Sequence, residues 1–200
     1  MASTLFLGPI YALKAAAVPV LVILAASVES SSYVPSQANR VTLFRAVLVG
    51  LMAGWLGEPE MPSWLALLGA VALLLDGVDG LVARRSSTSS VFGARLDMEL
   101  DALTTAVLCM LVWQADKAGA WVMLGGALRY LWVLAGLALP WLTASLDDFT
   151  PRKVICVVEV GVLVAALALP ATLATPACAV ALALLCGSFG RDAVLLFLRR

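Results

Sequence analysis

Histidine is absent from this sequence, which removes the side chain that most often acts as a general base near neutral pH and the commonest transition-metal ligand. Any proton transfer therefore falls to carboxylates. No sign of charge is in excess, because 13 basic and 13 acidic residues cancel, so no basic tail points to nucleic acid. Paired cysteines are missing too. Cys109, Cys156, Cys178 and Cys186 stand singly in apolar segments without a C-x-x-C pair, which argues against zinc and against a disulfide framework and leaves packing as their role. Charge as a whole is scarce: 13% of residues against 62% hydrophobic, with mean hydropathy +1.01. That is the composition of a polytopic membrane protein, with one membrane domain filling the chain.

The expected fold class is all-α, a polytopic membrane helical bundle. Thr4 to Val28 is apolar, interrupted by Pro9, Lys14 and Pro19, and long enough to reach across a bilayer. Cleavage as a signal peptide near Ala26 would start the next segment outside, against the charge distribution, so this reads as a retained helix. Glu29 to Gln37, rich in serine, is a linker. Further spans are expected over Asn39–Trp55, Pro62–Arg84, Gly93–Gln114, Ala118–Trp141, Lys153–Leu173 and Pro176–Arg200. Residues 1–38 are thus an extra N-terminal helix and linker, and residues 39–200 the main membrane domain. If the helix opening at Asn39 starts in the cytoplasm, that side holds Arg40, Arg84, Arg85, Arg95, Arg152, Lys153, Arg199 and Arg200, and the opposite loops hold Lys117. The asymmetry orients the bundle. Asp76, Arg129, Glu159 and Arg191 then share one layer, roughly 9 to 18 Å deep at 1.5 Å per residue, which suggests a water-filled cavity open to the cytoplasm.

The chemistry centres on four carboxylates. Asp76 and Asp79 are three residues apart, and Asp97 and Asp101 four apart, so each pair projects from one face of its helix. The polar loop Arg85 to Phe92 lets the two helices run antiparallel and brings the faces together. Four negative charges in a small apolar volume need compensation, and divalent cations are the expected remedy, with two ions. The bland alternative is a hairpin whose acids pair with Arg84, Arg85 and Arg95.

Read as a pattern, D-x2-D-G-x2-A-R-x8-G-x3-D-x3-D is present in full at Asp76, Asp79, Gly80, Ala83, Arg84, Gly93, Asp97 and Asp101. It resembles the signature of the CDP-alcohol phosphatidyltransferases, integral membrane enzymes of phospholipid synthesis. The resemblance implies six core transmembrane helices, with the N-terminal helix as an addition, and a homodimer. It implies transfer of a phosphatidyl group from CDP-diacylglycerol to a small alcohol, releasing CMP. Asp76, Asp79, Asp97 and Asp101 would hold Mg2+, with Mn2+ a substitute, and Asp101 would double as the catalytic base. Asn39, Arg40, Val41, Thr42, Asp79, Gly80, Ala83, Arg84, Ser90 and Gly93 would bind the CDP moiety. The lack of bulk at Gly80 and Ala83 suits a nucleotide lying against the helix, although close helix packing would select the same residues.

Arg129, Arg152, Lys153 and Arg191 form a candidate cationic pocket, which favours glycerol 3-phosphate as acceptor over serine. The opening Asn39-x-x-Thr42-x-x-Arg45 is similar to that of phosphatidylglycerophosphate synthases. Against this, Arg152-Lys153-Val-Ile-Cys departs from the G-K-x-K-T run of that group, and Glu159 places an acid near the pocket. Inositol phosphate, serine or another alcohol is the alternative acceptor; a UbiA-type prenyltransferase or a cation transporter is the alternative class. The expected location is a bacterial inner membrane with the site facing the cytoplasm.

Overall fold

The computed structural model describes residues 9–28, 37–86, 91–144 and 150–199; within its helices, the side chains of 9, 25–28, 37–39, 78–86, 91, 143 and 150–153 lie outside the description. The described residues are mostly helical, joined by short turns, without strands. They form α1 (Pro9–Val28), α2 (Gln37–Gly54), α3 (Trp64–Ser86), α4 (Val91–Gln114), α5 (Met123–Ala138), α6 (Thr150–Ala168) and α7 (Ala171–Leu198), with 3-10 turns at Ala120–Val122 and Pro140–Thr143. The chain divides into two compact units, Met1–Val107 and Leu108–Arg200.

In the first unit α1 packs along α2, and α2 along α3. Pro19 lies inside α1 and has no N–H to give the carbonyl of Ala15 one turn back. That same carbonyl faces Gly50 of α2, where any Cβ would collide with it and would also lie 3.3 Å from the Pro19 ring. A bare backbone at Gly50 therefore lets the two helices close on the spot where the proline has opened α1. One turn further on, a Cβ at Gly54 would come within 2.5 Å of the Tyr11 ring. Tyr11 Oη donates to the carbonyl of Leu51 at 2.8 Å, and Lys14 Nζ to that of Leu56 at 2.5 Å. Leu51 lies in the last turn of α2 and Leu56 in the turn that follows it, where a side chain can satisfy a carbonyl that helix bonding leaves open. Trp55 meets Tyr11 and Trp64 edge to face, with ring centroids 5.1 and 4.9 Å apart. Gly57, at φ 82°, makes the left-handed turn between α2 and α3. Val22, Ala46, Val49, Met52, Leu65, Leu96 and Leu100 fill the core.

In the second unit the end of α4 closes in a Schellman cap. Asp116 takes the left-handed position, φ 53°, its N–H donates to Trp113 O at 3.0 Å, and the N–H of Lys117 reaches Val112 O at 3.1 Å. Lys117 then ties the turn to its neighbour: its Nζ donates to Leu169 O, and Thr175 Oγ1 donates to Lys117 O, both at 2.7 Å. The boundary between the last two helices differs from the sequence expectation. α6 stops at Ala168 and α7 begins at Ala171, so Pro176 lies inside α7 rather than at its start. Pro170 is the breaker: its extended backbone, ψ 150°, ends α6, and its carbonyl accepts the N–H groups of Leu173 and Ala174 at 3.0 Å to start α7. Pro176, already inside a formed helix, removes a single backbone donor.

Outward faces are as apolar as the interior, with Leu13, Leu67, Leu74, Leu137, Val180 and Leu198 all well exposed. Among the described residues, two helical segments, Ala120–Ala138 and Ala171–Leu198, are long and apolar enough to cross a membrane; Ile10–Leu24, Trp64–Gly77 and Val154–Ala168 are shorter apolar stretches.

Candidate metal centre

Three helices of the first unit build the site. α3 presents Asp76, and α4 presents Asp97 and Asp101 one turn apart on one face. One ligand oxygen from each of these three aspartates lies within 4.8 Å of the other two. Asp101 sits in regular helix, followed by Thr104 and Thr105, whose hydroxyls fold back onto the carbonyls of Leu100 and Asp101 at 2.7 and 2.9 Å. Those threonines thus satisfy themselves within α4 and do not compete for the carboxylates.

The third contributor is α2, through Arg45. Its Nη1 donates to Asp97 Oδ1 at 2.7 Å, and its Nη2 lies 2.8 Å from Asp101 Oδ1 and 2.9 Å from Asp76 Oδ1. The guanidinium is therefore shared among all three acids in charge-assisted contacts. Its side chain is 4% exposed, whereas those of Asp76, Asp97 and Asp101 are 26%, 41% and 51% exposed. Arg45 forms the closed floor of the site and the carboxylates its open rim. A buried guanidinium is tolerated because its Nη1 and Nη2 meet carboxylate oxygens; removing those carboxylates would strand its charge at a cost of about 3–5 kcal/mol, whereas the carboxylates themselves are open to solvent.

This donor set fits a divalent metal. It consists of carboxylate oxygens alone, the ligands of hard cations such as Mg2+ and Mn2+ and not of ions that prefer sulfur or imidazole. Among the described residues one guanidinium faces three carboxylates, and the carboxylates are the open side. The basic partner that these acids meet among the described residues comes from another helix, α2.

Of the other expected site residues, Asp79, Gly80, Ala83 and Arg84 lie on α3 with side chains outside the described set, as do Asn39 on α2 and Arg152 and Lys153 on α6, and Ser90 lies outside the described residues altogether. Arg40 is exposed on the first turns of α2, Val41 is half-buried, and Thr42 is buried one turn before Arg45. Gly93 is half-buried near the start of α4. Arg129 on α5 and Arg191 on α7 belong to the second unit, the first half-buried and the second exposed. Sequence reasoning passed over Arg45 as a site residue. Its signal was available: an arginine inside the apolar run Leu43 to Leu51, three residues after Thr42 and so on the same helical face.

A buried acid stands in the other unit. Glu159 on α6 is 2% exposed, and its Oε2 has no hydrogen-bond partner among the described residues. Its Oε1 lies 2.9 Å from where a Cβ on Gly125 would be, a point also 3.5 Å from Cys109 Sγ, so glycine at 125 makes the room that the carboxyl occupies.

No curated protein and no solved structure matches the chain. The family comparison does match: residues 36–189 fit CDP-alcohol phosphatidyltransferase, a span that begins just before α2 and takes in the aspartates, Arg45 and the helices through most of α7. Members of this family are integral membrane transferases that pass a phosphatidyl group from a CDP-alcohol to an acceptor alcohol, typically with a divalent metal, which decides against prenyl transfer and cation transport. With the complete aspartate signature, and with three of its four acids drawn together on adjoining helices, the chain belongs to the CDP-alcohol phosphatidyltransferase family.

Proposed function

We propose that this protein is a phosphatidylglycerophosphate synthase-like enzyme that transfers the phosphatidyl group of CDP-diacylglycerol to glycerol 3-phosphate and releases CMP. The observation that carries the reaction is the convergence of Asp76, Asp97 and Asp101 in a chain of this family. In this reading Asp76, Asp79, Asp97 and Asp101 hold two magnesium ions, which when bound neutralise the diphosphate and stabilise the leaving CMP. Asn39, Arg40, Val41, Thr42, Gly80, Ala83, Arg84, Ser90 and Gly93 seat the nucleotide, with Arg84 paired to the diphosphate. The acceptor hydroxyl oxygen forms a bond to the phosphatidyl phosphorus while the bond from that phosphorus to the oxygen of CMP breaks. Asp101 takes the hydroxyl proton, since the chain has no histidine to do so.

Arg129, Arg152, Lys153 and Arg191 are assigned to the acceptor's phosphate, and this is what favours glycerol 3-phosphate over a zwitterion. Residues 39–200 form the catalytic membrane domain of six core helices. Residues 1–38 are an accessory helix and linker. The protein is placed in a bacterial inner membrane as a homodimer, with its site on the cytoplasmic side. The purified full chain, given CDP-diacylglycerol and magnesium, should release CMP when glycerol 3-phosphate is supplied and only slowly with serine, free glycerol or inositol phosphate. Faster release with serine or an unphosphorylated alcohol overturns the acceptor assignment. No release with any alcohol overturns the reaction.

A further inference from the structure

We propose that Arg45 is an internal counter-ion that a divalent cation must displace, so that guanidinium and metal are alternative occupants of one focus of carboxylate oxygens. The proposal rests on the reading of the aspartates as a metal site and adds to it how that site is loaded. Three oxygens no more than 4.8 Å apart always share a point within about 2.8 Å of each. Arg45 Nη2 is already 2.8 Å from Asp101 Oδ1 and 2.9 Å from Asp76 Oδ1, and Nη1 is 2.7 Å from Asp97 Oδ1, so the guanidinium spans the same three carboxylates that would surround an ion. A magnesium or manganese ion bridging the same oxygens needs contacts of about 2.0–2.2 Å, which requires the same place with the oxygens drawn slightly inward. Both cations cannot be there: they would overlap and repel.

Exposure sets the direction of exchange. The acids are open on the rim and Arg45 is enclosed at the floor, so a cation arrives from the side opposite the arginine and pushes the guanidinium off the carboxylates without having to pass it. An enclosed guanidinium that loses three carboxylates is left without them at a cost, which the cation's own contacts to the same acids must offset. Arg45 thus keeps the acids together while they await metal.

The test is Mn2+ binding to the purified full chain in detergent, read from the electron paramagnetic resonance signal of free Mn2+ without nucleotide. Arg45→Ala removes the competitor and should bind Mn2+ about tenfold to a hundredfold more tightly than wild type, the size of a charge-assisted contact. Guanidinium ion added at millimolar levels should weaken Mn2+ binding to Arg45→Ala back toward the wild-type value. A merely structural arginine predicts the opposite, weaker binding on removal. If Arg45→Ala does not fold, Arg45→Lys keeps the charge without the planar fork and should bind Mn2+ more tightly than wild type by a smaller factor. Equal or weaker binding by the folded variant, lost in both proteins on adding Asp97→Asn, overturns the exchange and leaves the metal site standing. Absence of Mn2+ binding from wild type and variant alike overturns the metal reading and this proposal with it.

Discussion

The two units of this protein bury an ionisable side chain in opposite ways. In the first, Arg45 is enclosed but meets three carboxylates at 2.7–2.9 Å. In the second, Glu159 is enclosed to the same degree, yet its Oε2 meets no donor among the described residues, and its surroundings are Gly125, Cys109 and Leu182. Burial alone is therefore a poor guide to chemistry. The first arrangement gathers charge from three helices, opens its acids toward a rim, and matches the family's signature. The second is one acid in a space left by a glycine, with no ion-pair partner among the described residues. Arg45 holds its region together through its partners, whereas Glu159 weakens its region by the unmet acceptor, a cost of about 1–3 kcal/mol.

The largest expected effect sharpens this contrast at the level of turnover. Asp101→Asn should lower kcat by about 10²–10⁴ while CDP-diacylglycerol binding stays close to wild type, and Glu159→Gln should leave kcat near wild type. Comparable losses from both would show that the second unit's acid also belongs to the reaction. Next come the basic residues proposed for the acceptor's phosphate, all of them in the second unit. Arg129→Ala or Arg191→Ala should raise the KM for glycerol 3-phosphate about tenfold to a hundredfold, from the loss of a charge-assisted contact of about 1.5–3 kcal/mol, with the KM for CDP-diacylglycerol unmoved. An unchanged acceptor KM in both variants would return those arginines to structural roles.

Stability separates the units in a third way. Glu159→Met, similar in size and without an unmet acceptor, should keep or raise the melting temperature, whereas Gly50→Ala in the first unit should lower it, by about 1–3 kcal/mol for a forced overlap. The added methyl meets the backbone carbonyl of Ala15, which no rotamer change can relieve. Thermal unfolding of the purified variants decides the point; a destabilised Glu159→Met would mean that the carboxyl has a partner worth keeping. The smallest effect is expected at Thr175→Val, which removes the 2.7 Å bond to Lys117 O and should cost about 0.5–1.5 kcal/mol at most, visible only as a slight drop in melting temperature with activity unchanged.

Local physics made much of this protein legible in its sequence. Apolar runs bounded by Pro, Gly and Asp gave helices near the expected places, because a helix satisfies its backbone within its own segment. The spacing of Asp76, Asp97 and Asp101 put acids on particular helical faces, because the period of a helix is fixed. Composition excluded a histidine-based reaction outright. Even the misplaced start of α7 was a local matter, a choice between Pro170 and Pro176 in which the earlier proline ended the preceding helix.

Only the tertiary structure decided which faces meet. That Arg45 of α2 reaches the acids of α3 and α4, that Glu159 Oε2 meets no donor among the described residues, and that α1 lies against α2 all depend on how each helix is rotated about its axis. Rotation is set by close contacts such as bare Gly50 against the Ala15 carbonyl, or Gly125 against the Glu159 carboxyl. Such contacts join residues far apart in the chain, and the periodicity that predicts one helix carries no information about the angle at which it meets another.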